Sequence, residues 1–195
     1  MKRFEVTVEY DMDPINPRND DNMGVLIGYH KRYNLGDTEF NKMHKAAADD
    51  CSNWAKFERY LRESHDAAVI LPVYMYDHSG VCLSVNPYED KWDSGRLGLI
   101  YCTNAMIKNE YSVDDVSPDL LLKVENILKE EVKDYSIYLS GEVYNYVIEE
   151  IEVCNLGHEH RRLVDSCGGY DSIDDCTFDG NTALEHYKNE HNGNV

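Results

Sequence analysis

The chain is 195 residues long, 42% hydrophobic, and carries 37 Asp plus Glu against 19 Lys plus Arg, a formal net charge of −18. A small domain stays soluble at a net charge of roughly 2–8 in magnitude, and a larger excess works against the compact state by self-repulsion, so the surplus points to a basic partner. The largest basic clusters are Lys31-Arg32 and Arg161-Arg162; neither makes the patch that phosphate neutralisation needs, so direct nucleic-acid binding and attraction to an anionic membrane are disfavoured.

The surplus is uneven: residues 1–97 carry 12 basic and 17 acidic residues, whereas residues 98–195 carry 7 and 20. Within 105–152 there are 12 acidic residues and 4 lysines. The hydrophobic fraction is enough for a sizeable core, which argues against a disordered acidic tail. No Pro/Gly/Ser linker interrupts the chain, so residues 1–195 are expected to form one compact domain, with 171–195 as a loosely packed C-terminal segment. No apolar run approaches the ~20 residues that span a bilayer, and the alternating start does not read as a signal peptide. A cytosolic protein with six reduced cysteines follows as the expectation.

Met1 to Tyr10 alternates apolar and polar residues and reads as a strand. Residues 11–22, dense in Pro, Asn and Asp, read as a loop built from turns. Val25 to His30 is a short strand, and Asn34-Leu35-Gly36-Asp37 a turn. Trp54, Phe57, Tyr60 and Leu61 fall on one face of a helix over 53–64, with Ser52 as its N-cap. Ala68 to Tyr76 reads as a buried strand. Asp77-His78-Ser79-Gly80 is a hairpin turn with Gly80 at positive φ, and Val81 to Val85 returns antiparallel.

Trp92-Asp93-Ser94-Gly95 is a second turn, with Gly95 left-handed and Trp92 packed beneath it. Leu97 to Cys102 is a strand, and Thr103 caps a short helix over 104–111. Ser117, Pro118 and Asp119 open a helix to Leu139. Its stripe is Leu121, Val124, Leu128, Val132, Tyr135 and Leu139, and Gly141 stops it. Strands over Val143 to Val153 and Arg161 to Asp165, then a weak helix over Thr182 to Glu190, complete the chain. The fold class is α+β: an antiparallel or mixed sheet with helices packed on it.

Asp77-His78-Ser79 holds the residue types of a catalytic triad, but neighbours in sequence do not converge as a triad must. A site remains conceivable if His30, Asp37, Asp77, His78 and Asp93 meet at one loop edge. Cys154, His158, His160, Cys167 and Cys176 come nearest to a zinc set, yet they lack the close paired spacing of structural zinc sites. No tightly held zinc is expected; Cys154, His158, His160 and Cys167 would be the first ligands to test. Asp171, Asp174, Asp175 and Asp179 match a calcium loop only in composition. There is no P-loop and no dinucleotide-binding glycine pattern, and no cofactor is expected.

Several strings together resemble a known family. They are Asp13-Pro14-x-x-Pro17-Arg18, Asp21-Asn22-x-Gly24, His30-x-Arg32-Tyr33-x-Leu35-Gly36-Asp37 and Tyr76-Asp77-His78-Ser79-Gly80. They continue in Trp92-Asp93-Ser94-Gly95-x-x-Gly98-x-Ile100-Tyr101, Tyr138-Leu139-x-Gly141-x-Val143-Tyr144 and Asp165-Ser166-Cys167. The chain resembles small acidic phage and prophage proteins over most of residues 11–170. One departure is Gly168-Gly169-Tyr170, where the family pattern has an aromatic after the cysteine. The resemblance implies a phage product acting in bacterial cytoplasm; it implies no reaction.

Charge and resemblance together give the leading expectation, a phage-encoded anti-defence inhibitor of anti-restriction or anti-CRISPR type. It would act as an acidic nucleic-acid mimic on a basic surface of a host defence protein. The expected contact residues are Glu125, Glu130, Glu131 and Asp134 on the long helix, with Glu149, Glu150 and Glu152 on the following strand. Such a protein is not an enzyme, and a homodimer is compatible with it. The alternative is a small-ligand-binding protein or metal-assisted hydrolase using the His/Asp loop edge.

Overall fold

The run Leu97 to Cys102 is apolar at nearly every position, as a strand must be when both faces of its sheet are covered. The computed structural model, which describes residues 2–51 and 53–192, places it in the strand Ser94–Thr103, buried throughout 97–102. The fold is α+β: among the described residues, five α-helices pack against two antiparallel sheets. The chain divides into two compact units, residues 16–140 and residues 1–15 with 141–195.

In chain order the strands are β1 (Lys2–Tyr10), β2 (Val25–Gly28), β3 (Ala67–Asp77), β4 (Val81–Ser84), β5 (Ser94–Thr103), β6 (Tyr144–Val153) and β7 (Glu159–Tyr170). The helices are α1 (Thr38–Asp50), α2 (Trp54–His65), α3 (Asn104–Tyr111), α4 (Pro118–Ser140) and α5 (Ile173–Asn192).

The 16–140 unit is a four-stranded antiparallel sheet in the order β2-β5-β3-β4. One face meets α4, where Leu26, Val73, Leu83 and Ile100 pack with Val124, Leu128, Val132 and Tyr135. These helical residues belong to the stripe read from the sequence. On the other face Val25, Ile27, Leu99 and Tyr101 pack with Phe57 and Leu61 of α2, joined by Phe40 and Ala47 of α1. Gly98 pairs with Gly28, and a Cβ on Gly98 would lie 1.8 Å from the Ile27 carbonyl oxygen, so this crossing of β2 and β5 admits no side chain there. Asn53 caps α2 by accepting from the Lys56 amide; Ser52, the expected cap, lies outside the described residues. Thr103 caps α3 through the Met106 amide, as its sequence implies.

Residues 38–50 carry only a weak apolar stripe, Phe40 with the small Ala47 and Ala48, and no helix is expected there from the sequence. The buried positions of α1 are Asn41 and His44, both polar, which interrupts the hydrophobic period.

The other unit is a three-stranded sheet, β1-β6-β7, with register running from Lys2↔Glu152 to Tyr10↔Tyr144. One face carries Phe4, Val6, Val8, Tyr146 and Ile148, and α5 lies on it through Cys176, Leu184 and Tyr187. Gly180 allows the approach: a Cβ there would stand 3.0–3.1 Å from the Tyr146 and Val6 side chains. The helix therefore begins nine residues before the expected Thr182, and small residues on its inner face explain why the sequence signal was weak. β7 runs well past the expected 161–165; it is an edge strand, mostly exposed, and so lacks alternation. Among the described residues no helix is long and apolar enough to cross a membrane.

Candidate functional site

Within the 16–140 unit, the turn-forming strings singled out in the sequence fall into two groups, and the structure gives them different work. The first group surrounds Arg18. Its side chain is 3% exposed, and all five of its N–H groups are used. Nε and one terminal nitrogen hold both Asp37 oxygens at 2.9 and 2.8 Å. The remaining N–H groups donate to the Gly24 carbonyl, Asn22 and Glu131. Asp37 also accepts from the Leu26 amide, and Glu131 from the Met23 and Gly24 amides. Burial pulls the Arg18 guanidinium down, but the two carboxylates more than offset it and its pKa lies above the ordinary value. These residues fix the chain before β2, the start of α1 and the middle of α4. The cleft beside them, about 620 Å³, is rimmed by Asp20, Asp21, Asp37 and Glu39.

Asp37 therefore does not join the loop edge expected from the sequence. The other four residues do gather there. The Asp77 amide donates to the Asp93 carbonyl at 2.8 Å, and His78 Nδ1 lies 2.9 Å from Asp93 Oδ2. Asp77 in turn holds Arg32 and the Tyr33 hydroxyl, and His30 stacks on Tyr33 with ring centroids 5.1 Å apart. A shallow cleft of about 270 Å³ between them is lined by His30, Arg32, Asp77, Trp92, Asp93 and Arg96.

Three local expectations are corrected here. Ser79, at φ 60°, takes the positive φ of the hairpin, and Gly80 does not. Gly95 has negative φ because it already belongs to β5. Trp92 does not pack under its turn: it is 96% exposed, while Asp90 Oδ1 receives its amide at 2.8 Å. A His–carboxylate pair can orient an imidazole for proton transfer and leaves Nε2 open.

The acidic residues expected to meet a partner have varied surroundings. On α4, Glu125 lies 2.7 Å from Lys129 and Glu130 3.7 Å from Lys133. Glu131 turns inward to Arg18, and Asp134 is exposed. On β6, Glu149 pairs with Arg161 at 2.9 Å and Glu152 is exposed. Glu150 is buried between Lys2 and Arg162, whose hydrogen bonds hold its pKa down at about 2. Glu131 thus turns its carboxylate inward to a guanidinium and amides that would otherwise be buried alone, whereas Glu150 is itself the buried charge, held by two cations whose own side chains are exposed.

A second face of charge emerges where sequence reasoning named only a calcium-like composition. Residues 1–15 and 141–195 together hold 16 acidic and 5 basic residues, a net of −11, against −7 for residues 16–140. Along α5, Asp174, Asp175, Asp179, Glu185 and Glu190 are all exposed.

All six cysteines are free, and among the described residues no group of three or more His, Cys, Asp or Glu comes together that could hold a metal. Cys154 hydrogen-bonds His160 at the β6–β7 turn, and that bond with backbone donors holds its thiol below the ordinary pKa. Cys167 lies opposite Tyr146, far along the ladder from Cys154. His44, unnoticed in the sequence, is fully buried: Nε2 lies 3.1 Å from the Tyr101 hydroxyl and its ring meets His65 edge-on at 4.6 Å. Its Nδ1 has no partner, and burial lowers its pKa.

No family model, no curated protein and no solved structure matches this chain.

Proposed function

We propose that this protein is a phage-encoded inhibitor that acts in bacterial cytoplasm by covering a basic, nucleic-acid-binding surface of a host defence protein. The observation that carries the reading is the concentration of charge: a net of −11 in the 70 residues of the β1-β6-β7 unit, with five exposed carboxylates along α5. Duplex DNA offers about one charge per 1.7 Å of axis, or about 3.4 Å along each strand, and a helical turn advances about 5.4 Å, so carboxylates about one turn apart present a sparser row of the same sign. Such a surface steers a basic partner at long range and releases it in salt.

The α4 carboxylates contribute less, since Lys123, Lys129 and Lys133 share their helix. Affinity capture from bacterial lysate at low and high salt is the test. A basic nucleic-acid enzyme should be recovered at low salt and lost at high salt. Charge reversal at Asp174, Asp175 and Asp179 should abolish capture, while reversal at Glu125, Glu130 and Asp134 should weaken it only partly. Recovery that ignores salt and both sets would refute the reading.

One observation favours the alternative of a small-ligand protein or hydrolase: the assembled His78–Asp93 contact at 2.9 Å. In that case His78→Ala with Asp93→Asn would abolish the biological effect and the α5 reversals would not.

A further inference from the structure

A chain with 37 acidic and 19 basic residues should put carboxylates around almost any surface depression. Three clefts of the 16–140 unit obey: each is lined by at least one Asp or Glu. A fourth does not. It lies where the β2–α1 connection meets the first turns of α1 and measures about 440 Å³, within the ~300–1,000 Å³ of small-molecule sites. Lys31, Lys42, Lys45 and His30 line it, with no carboxylate, and Tyr29 and Tyr33 supply aromatic rings.

Two of the three lysines there are not consumed by the fold. Lys31 and Lys42 are exposed and have no ion-pair partner among the described residues. Lys45 touches Asp49 on its own helix while its ammonium stands 5.5 Å from the Tyr29 ring centre. The walls, in contrast, are rigid. Asn41 is buried and bridges the Gly28 amide to the Leu35 carbonyl at 2.9 and 2.8 Å. The Tyr29 hydroxyl donates to the Asn41 carbonyl at 3.0 Å. At the cleft's edge Thr38 opens α1, and Asp37, committed to Arg18, does not cap it. The positive end of α1 is therefore left without its usual side-chain oxygen.

Unpaired ammonium groups attract phosphate, and a stacked aromatic pair such as His30 on Tyr33 accepts a further planar ring. We propose that this cleft binds a small phosphorylated ligand with a planar ring, of the nucleoside-phosphate class. Lys31 and Lys42 hold the phosphate, with Lys45 close by, and the ring packs against the stacked His30–Tyr33 pair that lines the cleft. A polymeric nucleic acid does not fit the argument, because its remaining phosphates would meet the net −18 of the chain. The inference is independent of the inhibitor reading, since none of these residues lies on the acidic unit.

Isothermal titration of the full chain tests it, with AMP, cyclic AMP, a cyclic dinucleotide, adenosine, inorganic phosphate and a short single-stranded oligonucleotide as probes. At least one of the three small nucleotides should bind roughly tenfold or more tightly than adenosine or inorganic phosphate, and whichever is tightest names the source. Binding should weaken with salt. The Lys31→Ala/Lys42→Ala/Lys45→Ala variant should lose it by tenfold or more. These lysines are exposed, so its unchanged melting temperature will show an intact fold. No small nucleotide binding more tightly than adenosine, none binding more tightly than inorganic phosphate, preference for the oligonucleotide, an unaffected triple-alanine variant, or no binding at all would each overturn the proposal.

Discussion

Replacing Arg18 by methionine tests the central structural claim about the 16–140 unit. The methionine keeps much of the aliphatic volume and removes the guanidinium. Five hydrogen bonds go with it, four of them to the side chains of Asp37, Glu131 and Asn22. Asp37 and Glu131, with side chains only 15% and 12% exposed, are then left without their shared cation. Breaking a buried ion pair by removing one partner costs about 3–5 kcal/mol.

For a chain of this size that loss lowers the melting temperature by on the order of 10 °C. Urea unfolding followed by far-ultraviolet circular dichroism measures the free energy, and calorimetry the temperature. The decisive comparison adds Asp37→Asn and Glu131→Gln to Arg18→Met. Their amide oxygens still accept from the Leu26, Met23 and Gly24 amides, and the uncompensated charge is gone. That triple variant should recover part of the lost stability. If Arg18→Met costs less than about 1 kcal/mol, the cluster behaves like a surface pair and the reasoning fails. It fails equally if the triple variant is no more stable than the single one.

Two further predictions concern acid. Glu150 is held at about 2 by Lys2 and Arg162, well below its unfolded value, so its contribution is complete above the ordinary carboxylate range and fades as pH falls toward 2. Glu150→Gln should therefore lower stability at neutral pH and flatten its acid limb in denaturant titrations; an unchanged acid limb would contradict this. His44 has its pKa lowered by burial first and by His65 second. Below about 6.5 the unfolded chain takes a proton that the native chain resists, so stability falls with pH in that window. His44→Phe should remove that window from the pH–stability profile, and its persistence would show that another group causes it.

Much of the fold was legible from periodicity. The stripe of α4, the caps Thr103 and Ser117, and the continuous apolar run of β5 are each explicit in the residues themselves. α1 was not legible because its inward residues are Asn41 and His44, which serve loop amides and a tyrosine rather than an apolar stripe. α5 was shortened because its inner face relies on Cys176 and Gly180, where small size matters more than hydrophobicity.

The loop edge was legible as turn chemistry, and four of its five residues converge. Asp37 escaped because nothing in its spacing reveals that a guanidinium nineteen residues earlier claims both of its oxygens. Glu131 and Glu150 escaped for the same reason: sequence gives charge, and only packing tells which carboxylates face inward.

The pairing of β1 with β6 has a consequence for synthesis. The Asp11 amide donates to the Val143 carbonyl at 2.8 Å, so the chain leaves the smaller unit and returns to it at nearly one point. β1 is synthesised before the other strands, yet Tyr10 finds Tyr144 only after more than a hundred further residues have been made. Loop closure of that length is costly and slow when the intervening chain is disordered. It becomes short-range once residues 16–140 have collapsed and brought their own ends together. The order of folding is thus written into the topology: the inserted unit forms first, and until it does the first strand waits with an open ladder, the state in which a nascent chain is most exposed to aggregation.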